Sequence, residues 1–230
     1  MEFNMEKISN DVTYTTYNMA NQQWLHYASF YIMDNFLSSQ ELFIVNGALS
    51  HSHSELVKGS IIAKERMNSD VRDTDIHFLR KQGDAASVHY DFWDNEVLKR
   101  VDVINKNIFD FELTGSTAPQ YSIYNPDQHY TWHPDGPIGV MDGRGLNCIP
   151  KALFWRKLSA VIMLSDPSEY EGGEFQIMNP HSPPESALNT LKLDKGSIIL
   201  FPSFMSHRVL PVKSGQRRTL VYWFVGPRWK

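Results

Sequence analysis

The chain is poor in cysteine: Cys148 is the only one in 230 residues. An intrachain disulfide is therefore impossible, a thiolate metal cluster is excluded, and a reducing, cytoplasmic location is expected. Long hydrophobic runs are also missing, and none approaches the roughly 20 apolar residues that span a bilayer. The opening MEFNMEKISNDV is polar and acidic and lacks the apolar stretch of a signal peptide. Neither sign of charge is in large excess. The net charge is −4 with acids and bases intermixed, so no basic patch invites nucleic acid and none is expected as a partner. Internal repeats and low-complexity segments are absent. What is plentiful is apolar and aromatic side chain, 42% and 13% of the residues, enough for one substantial core.

The chain changes character along its length. Residues 1–110 read as a mostly helical support with a few strands. Ser38 and Glu41 have the spacing of a capping box ahead of LFIVNGAL, and Val97, Val101, Ile104 and Ile108 recur at helical spacing. From residue 111 to 230 the pattern is one of short strands: QYSIY, KLSAVIML, GEFQIM, GSIILF, HRVLPV and RTLVYWFV. Turn signals separate them at Asn179-Pro180, Pro183-Pro184, Lys195-Gly196 and Ser214-Gly215. Strands without intervening helices predict an antiparallel barrel or sandwich, so the fold class is α+β, mainly β, within one compact domain.

The stretch NPDQHYTWHPDG, residues 125–136, concentrates coordinating groups. On an extended strand, His133 and Asp135 would face one side, as residues i and i+2 do. A third ligand must come from a distant strand, and His207, at the head of HRVLPV, is the best placed. Two imidazoles and a carboxylate on one face of an ion leave positions open, which is the arrangement of non-haem Fe(II) oxygen chemistry. An H-x-D triplet alone is weak. The similar pair His51 and His53 lacks downstream support, and His26, His77, His89 and His181 are isolated; all six read as packing or surface residues. Context strengthens His133. Arg217, ten residues after His207, offers the planar fork that fits a carboxylate, and Thr219 points the same way along the strand. By spacing alone, Arg217 and Arg218 could equally be a solvated surface pair.

Three ordered segments resemble a known family. YNPDQHYTWHPD resembles the Y-x-x-G-x-x-Y-x-x-H-x-D strand and loop of prolyl 4-hydroxylase-like, 2-oxoglutarate- and Fe(II)-dependent dioxygenases. RKLSAVIMLSDPSEYEGGEF and KGSIILFPSFMSHRVLPVKSGQRRTLVYWF are similar to its following segments, in wording most like the bacterial PKHD-type hydroxylases. The resemblance implies a double-stranded β-helix, or jelly roll. It implies that His133, Asp135 and His207 hold Fe(II) and that Arg217 pairs with the far carboxylate of 2-oxoglutarate, with Tyr124 and Thr219 beside it. Tyr130, Trp223 and Phe175 complete the candidate pocket. O2 is the other cosubstrate and ascorbate an optional reductant. The implied reaction is hydroxylation of an unactivated C–H bond on a peptidyl side chain such as proline, with release of succinate and CO2. A small metabolite or free amino acid is the alternative substrate, and a non-catalytic jelly-roll binding protein the alternative role. Two departures stand out: Asp127 occupies the motif's glycine, and Met163 falls where some relatives place a tyrosine for the same carboxylate. The segments 141–155 and 178–186 read as rim elements.

Overall fold

The computed structural model describes residues 30–51, 57–58, 70–79, 85–136, 155–179, 182 and 184–229. The expected rim segment 141–155 lies outside these residues except for Trp155, as do Cys148, His26, His53 and His181; the segment 178–186 is described only in part.

In chain order the elements are β1 (Tyr31–Met33), α1 (Ser39–His51), β2 (Val57–Lys58), β3 (Arg72–Asp73), β4 (Asp75–Phe78), α2 (Ala85–Ile108), β5 (Gly115–Ser116), β6 (Gln120–Tyr124), β7 (His129–His133) and β8 (Trp155–Met163). They continue with a 3-10 turn (Pro167–Glu169), β9 (Tyr170–Gly172), β10 (Phe175–Met178), β11 (Leu188–Leu191), β12 (Ile198–Pro202), β13 (His207–Val209), β14 (Val212–Gly215) and β15 (Arg217–Gly226). The larger sheet has the order β1-β12-β8-β15-β6-β4-β2, with β5 paired to β15; the smaller has the order β11-β10-β13-β7-β3. Every strand pairing among the described residues is antiparallel.

The period-2 alternation of the long strands sorts their side chains between two cores. On β8, Leu158, Ala160 and Ile162 join Ile198, Leu200, Leu220 and Tyr222 in a cluster with Val45 and Leu49 of α1 and Val97, Val101 and Ile104 of α2. Val161 and Met163 face the other way. With Tyr124, Ile199 and Phe201 they meet Phe175, Ile177 and Val209 of the smaller sheet. The larger sheet is thus covered by helices on one face and by the smaller sheet on the other. Each large apolar side chain so buried contributes about 1.5–3 kcal/mol.

Local signals hold the helices in place. The Ser38 N–H donates to Glu41 Oε2 at 2.8 Å and the Glu41 N–H returns to Ser38 Oγ at 3.3 Å, the capping box read from sequence. Arg100 of α2 pairs with Glu41 and donates to the Phe36 carbonyl at 2.7 Å, which ties the two helices together. Asn105 ends α2 by bonding both backbone groups of Phe111, at 2.9 and 3.1 Å.

Candidate metal centre

β7 and β13 are neighbours, and their register sets His133 directly opposite His207. The imidazole centres lie 4.2 Å apart. Asp135 joins them from just beyond β7. The sequence expectation of one continuous strand carrying both His133 and Asp135 needs correction here. The strand stops at His133. Pro134 has no N–H for the ladder, and the Asp135 N–H instead donates to the Ser203 carbonyl at 2.8 Å. One ligand atom from each of His133, Asp135 and His207 lies within 4.8 Å of the other two.

Each ring is oriented by the chain itself. His133 Nδ1 lies 2.7 Å from the Thr131 carbonyl and His207 Nδ1 2.9 Å from that of Met205. A carbonyl only accepts, so Nδ1 carries the proton and Nε2 keeps its lone pair, the tautomer a metal requires. Burial, and then the neighbouring His207, push the His133 imidazole down to about 3, so it is neutral at pH 7. Burial opposes ionisation of Asp135, but the neighbouring His207, Arg156 and His133 and the Ser159 hydroxyl outweigh it and hold the carboxyl below its ordinary value. That hydroxyl donates to Asp135 Oδ2 at 2.6 Å and is 2.9 Å from Ser203 Oγ. Tyr130 stacks on His133 with centres 3.4 Å apart, while Phe201 and Phe175 lie 4.7 and 5.5 Å from His207. Two neutral nitrogens and one carboxylate oxygen, backed by buried partners, suit a divalent transition ion.

Arg217 opens β15 on the same face of the larger sheet, opposite Tyr124 in register. It is 2% exposed. Its Nη2 reaches the Met163 sulfur at 3.7 Å, its guanidinium carbon lies 5.4 Å from the Tyr124 ring centre, and Nε has no hydrogen-bond partner. Burial pulls the guanidinium below the ordinary arginine value, offset by Tyr124 and by Tyr170, which also hydrogen-bonds it. Thr219 is buried one pleat further on, beside Met163 and Ser122. Trp223 lies across from Ser159. His129 is half-buried, with its ring nitrogens against the carbonyls of Asp127 and Asp70, apart from the three-residue cluster. His77 pairs with Tyr121 on the helix-covered face.

Sequence reasoning missed Tyr170, Ser159, Ser203, Arg156 and Arg72. Tyr170 had a signal, since it sits two residues before Gly172 in the motif already singled out. Ser159 shares the strand and face of Val161 and Met163 and was legible from alternation. Ser203 and Arg72 reach the site only through long-range pairing, which no local pattern reports.

Residues 119–225 match the family model of the 2OG-Fe(II) oxygenase superfamily. A PKHD-type hydroxylase of Crocosphaera subtropica is 38% identical over 104 residues, 45% of this chain and 40% of that protein. Another, from Psychrobacter, is 25% identical over 201 residues, 84% of this chain and 68% of its own length. The match spans about two-fifths of the first curated relatives, 42% and 40%. Among solved structures, a prolyl hydroxylase of Trichoplax adhaerens in complex with a hypoxia inducible factor oxygen degradation domain peptide superposes with a TM-score of 0.65 at 18% identity, covering 87% of this chain and 84% of that one. The fold is therefore that of the 2-oxoglutarate oxygenase jelly roll. No helix among the described residues is long and apolar enough to cross a membrane.

Proposed function

We propose that this protein is a 2-oxoglutarate- and Fe(II)-dependent dioxygenase that hydroxylates an unactivated C–H bond of a peptidyl side chain such as proline. The observation that carries the reading is one pairing: an oriented His133–Asp135–His207 cluster, and beside it a buried Arg217 whose Nε lacks a partner. A buried arginine nitrogen without an acceptor costs free energy, and the far carboxylate of 2-oxoglutarate would relieve that cost. The peptide substrate is supported by the peptide bound to the Trichoplax enzyme and by the hydroxylase names of the relatives.

When bound, iron and 2-oxoglutarate supply the oxidising chemistry, coupling O2 reduction to release of succinate and CO2 with one oxygen atom passing to the substrate. The chain's own residues do the positioning. His133 and His207 would offer Nε2 to the metal, with Nδ1–H fixed on carbonyls, and Asp135 would offer a carboxylate steadied by Ser159. Arg217 would hold the cosubstrate's far end, with the Tyr124 and Tyr170 hydroxyls beside it; Tyr170 would fill the role that Met163 cannot. Val161, Met163, Ile199 and Phe201 keep bulk water from the interior, which strengthens the Arg217 pair.

The test is Fe(II)-dependent conversion of 2-oxoglutarate to succinate, measured with and without ascorbate across peptide and metabolite pools. Mass spectrometry should find one product that has gained one oxygen atom. Succinate formation that does not need Fe(II), or none under any condition, refutes the proposal.

A further inference from the structure

Two more arginines approach the metal centre, and neither side chain makes a hydrogen bond among the described residues. Arg72 pairs with Tyr130 across β3 and β7, and its guanidinium lies 4.7 Å from that ring's centre. Arg156, near the start of β8, lies 3.9 Å from the centre of the Trp223 ring, and its Nη1 is 3.9 Å from Asp135 Oδ1. The Nε atoms of both, and Trp223 Nε1, are buried without a partner. The two guanidiniums also act on one another. Burial lowers Arg156 from the ordinary arginine value, Asp135 and Tyr130 support its charge, and Arg72 opposes it.

The charge count is unfavourable as it stands. Two cations flank Tyr130 with one carboxylate, Asp135, between them and the metal site. An iron(II) ion and a 2-oxoglutarate dianion cancel each other, and Arg217 adds a further cation at the cosubstrate's far end, so loading the site leaves the surplus of Arg72 and Arg156 over Asp135 uncompensated. Desolvated charge without a counterion is costly, and guanidinium N–H donors match a planar oxyanion.

We propose that Arg72 and Arg156 form a subsite for a carboxylate of the substrate, so that the oxidised C–H bond belongs to an acidic molecule or to an acidic position of a peptide. The Trp223 N–H is a third donor on the same side. The proposal rests on the oxygenase reading above.

The experiment is anaerobic calorimetric titration of the Fe(II)- and 2-oxoglutarate-loaded protein with matched pairs that differ by one carboxylate. The pairs are L-proline and prolinamide, acetyl-Gly-Pro and its amide, and acetyl-Pro-Asp-amide and acetyl-Pro-Asn-amide. They distinguish a free amino acid, a chain terminus and an acidic side chain as the source. One acid should bind at least about tenfold more tightly than its neutral partner, as a charge-assisted pair gives. In R72Q and R156Q that preference should collapse toward unity, which loss of packing alone would not do, since it weakens acid and neutral partner alike. Equal binding of acid and neutral partner in all three wild-type pairs overturns the subsite, whatever the variants do. Failure of the protein to bind 2-oxoglutarate in the loading step overturns the oxygenase reading instead.

Discussion

His133 and Asp135 show how much depends on single atoms here. If they hold the metal, His133→Ala or Asp135→Ala should abolish Fe(II)-dependent succinate release, a fall of at least about 100-fold, because two remaining ligands hold iron poorly. Full turnover in either variant, followed by succinate assay, contradicts the assignment. Arg217 acts at a different step. Arg217→Ala should raise the 2-oxoglutarate concentration needed for half-maximal turnover by about 100-fold, the range for losing a buried charge-assisted pair, with a smaller change in kcat at saturation. An unchanged requirement denies Arg217 the cosubstrate. Asp127 shows what sequence could and could not say. The motif's glycine predicts a special backbone there, and Asp127 has φ +69°, in the left-handed region that glycine favours. Pro126 precedes it, and the Gln128 N–H closes the turn on the Asn125 carbonyl at 3.0 Å, the pattern of a type II turn. The departure from glycine was visible; that the backbone keeps a glycine-like conformation was not.

The turn from β9 into β10 is where the glycine pair of the sequence becomes mechanical. Gly173 has φ +65°, and a Cβ added there would lie 2.9 Å from Val212 Cγ2 and 3.0 Å from Arg217 Cδ. Gly173→Ala should therefore press on Arg217 as well as strain the turn. The expected outcome is a higher 2-oxoglutarate requirement together with a loss of about 1–2 kcal/mol in denaturant stability. A stability loss with no change in cosubstrate requirement would mean that the arginine is insensitive to this turn. The junction of α1 and α2 offers a pH test. Burial raises the Glu41 carboxyl, but the bonds from Arg100 and Ser38 outweigh it, and the net shift is downward from 4.5. A depressed folded-state value means that the stabilisation is full above the unfolded value and is lost as pH falls through the folded one. Glu41→Gln should thus cost stability at pH 7, below about 1 kcal/mol because the pair is partly solvated. The gap between wild type and variant should close below about pH 4. A gap that widens in acid has the sign wrong. Such elements were legible because their determinants are local: capping at Ser38, helical spacing from Val97 to Ile108, and alternation along β8, β12 and β15. β1, β3 and β4 were not, since strands of two to four residues carry little periodicity and exist only through partners far along the chain.

At the scale of the whole molecule the site spans both sheets. His133 and His207 come from the smaller sheet, whereas Asp135 is anchored to Ser159 of β8 and to Ser203 after β12, and Arg217 belongs to β15. A metal held by the three side chains and a cosubstrate held by Arg217 would therefore join the sheets across their shared core. That also explains which part of the fold the motifs reported: they fall on the strands that meet at this junction and say nothing of the outer ones. Ligands that bind only the folded chain stabilise it by mass action, about 2.7 kcal/mol at a hundredfold excess over Kd. For a chain of this size the corresponding rise in melting temperature is roughly 5–10 °C. Scanning calorimetry under argon should show that rise for the wild-type protein with Fe(II) and 2-oxoglutarate, and chelation should reverse it. His133→Ala should lose the response to metal, and Arg217→Ala should keep the response to metal while losing the added response to 2-oxoglutarate. An equal response in all three proteins would place the binding somewhere other than this junction.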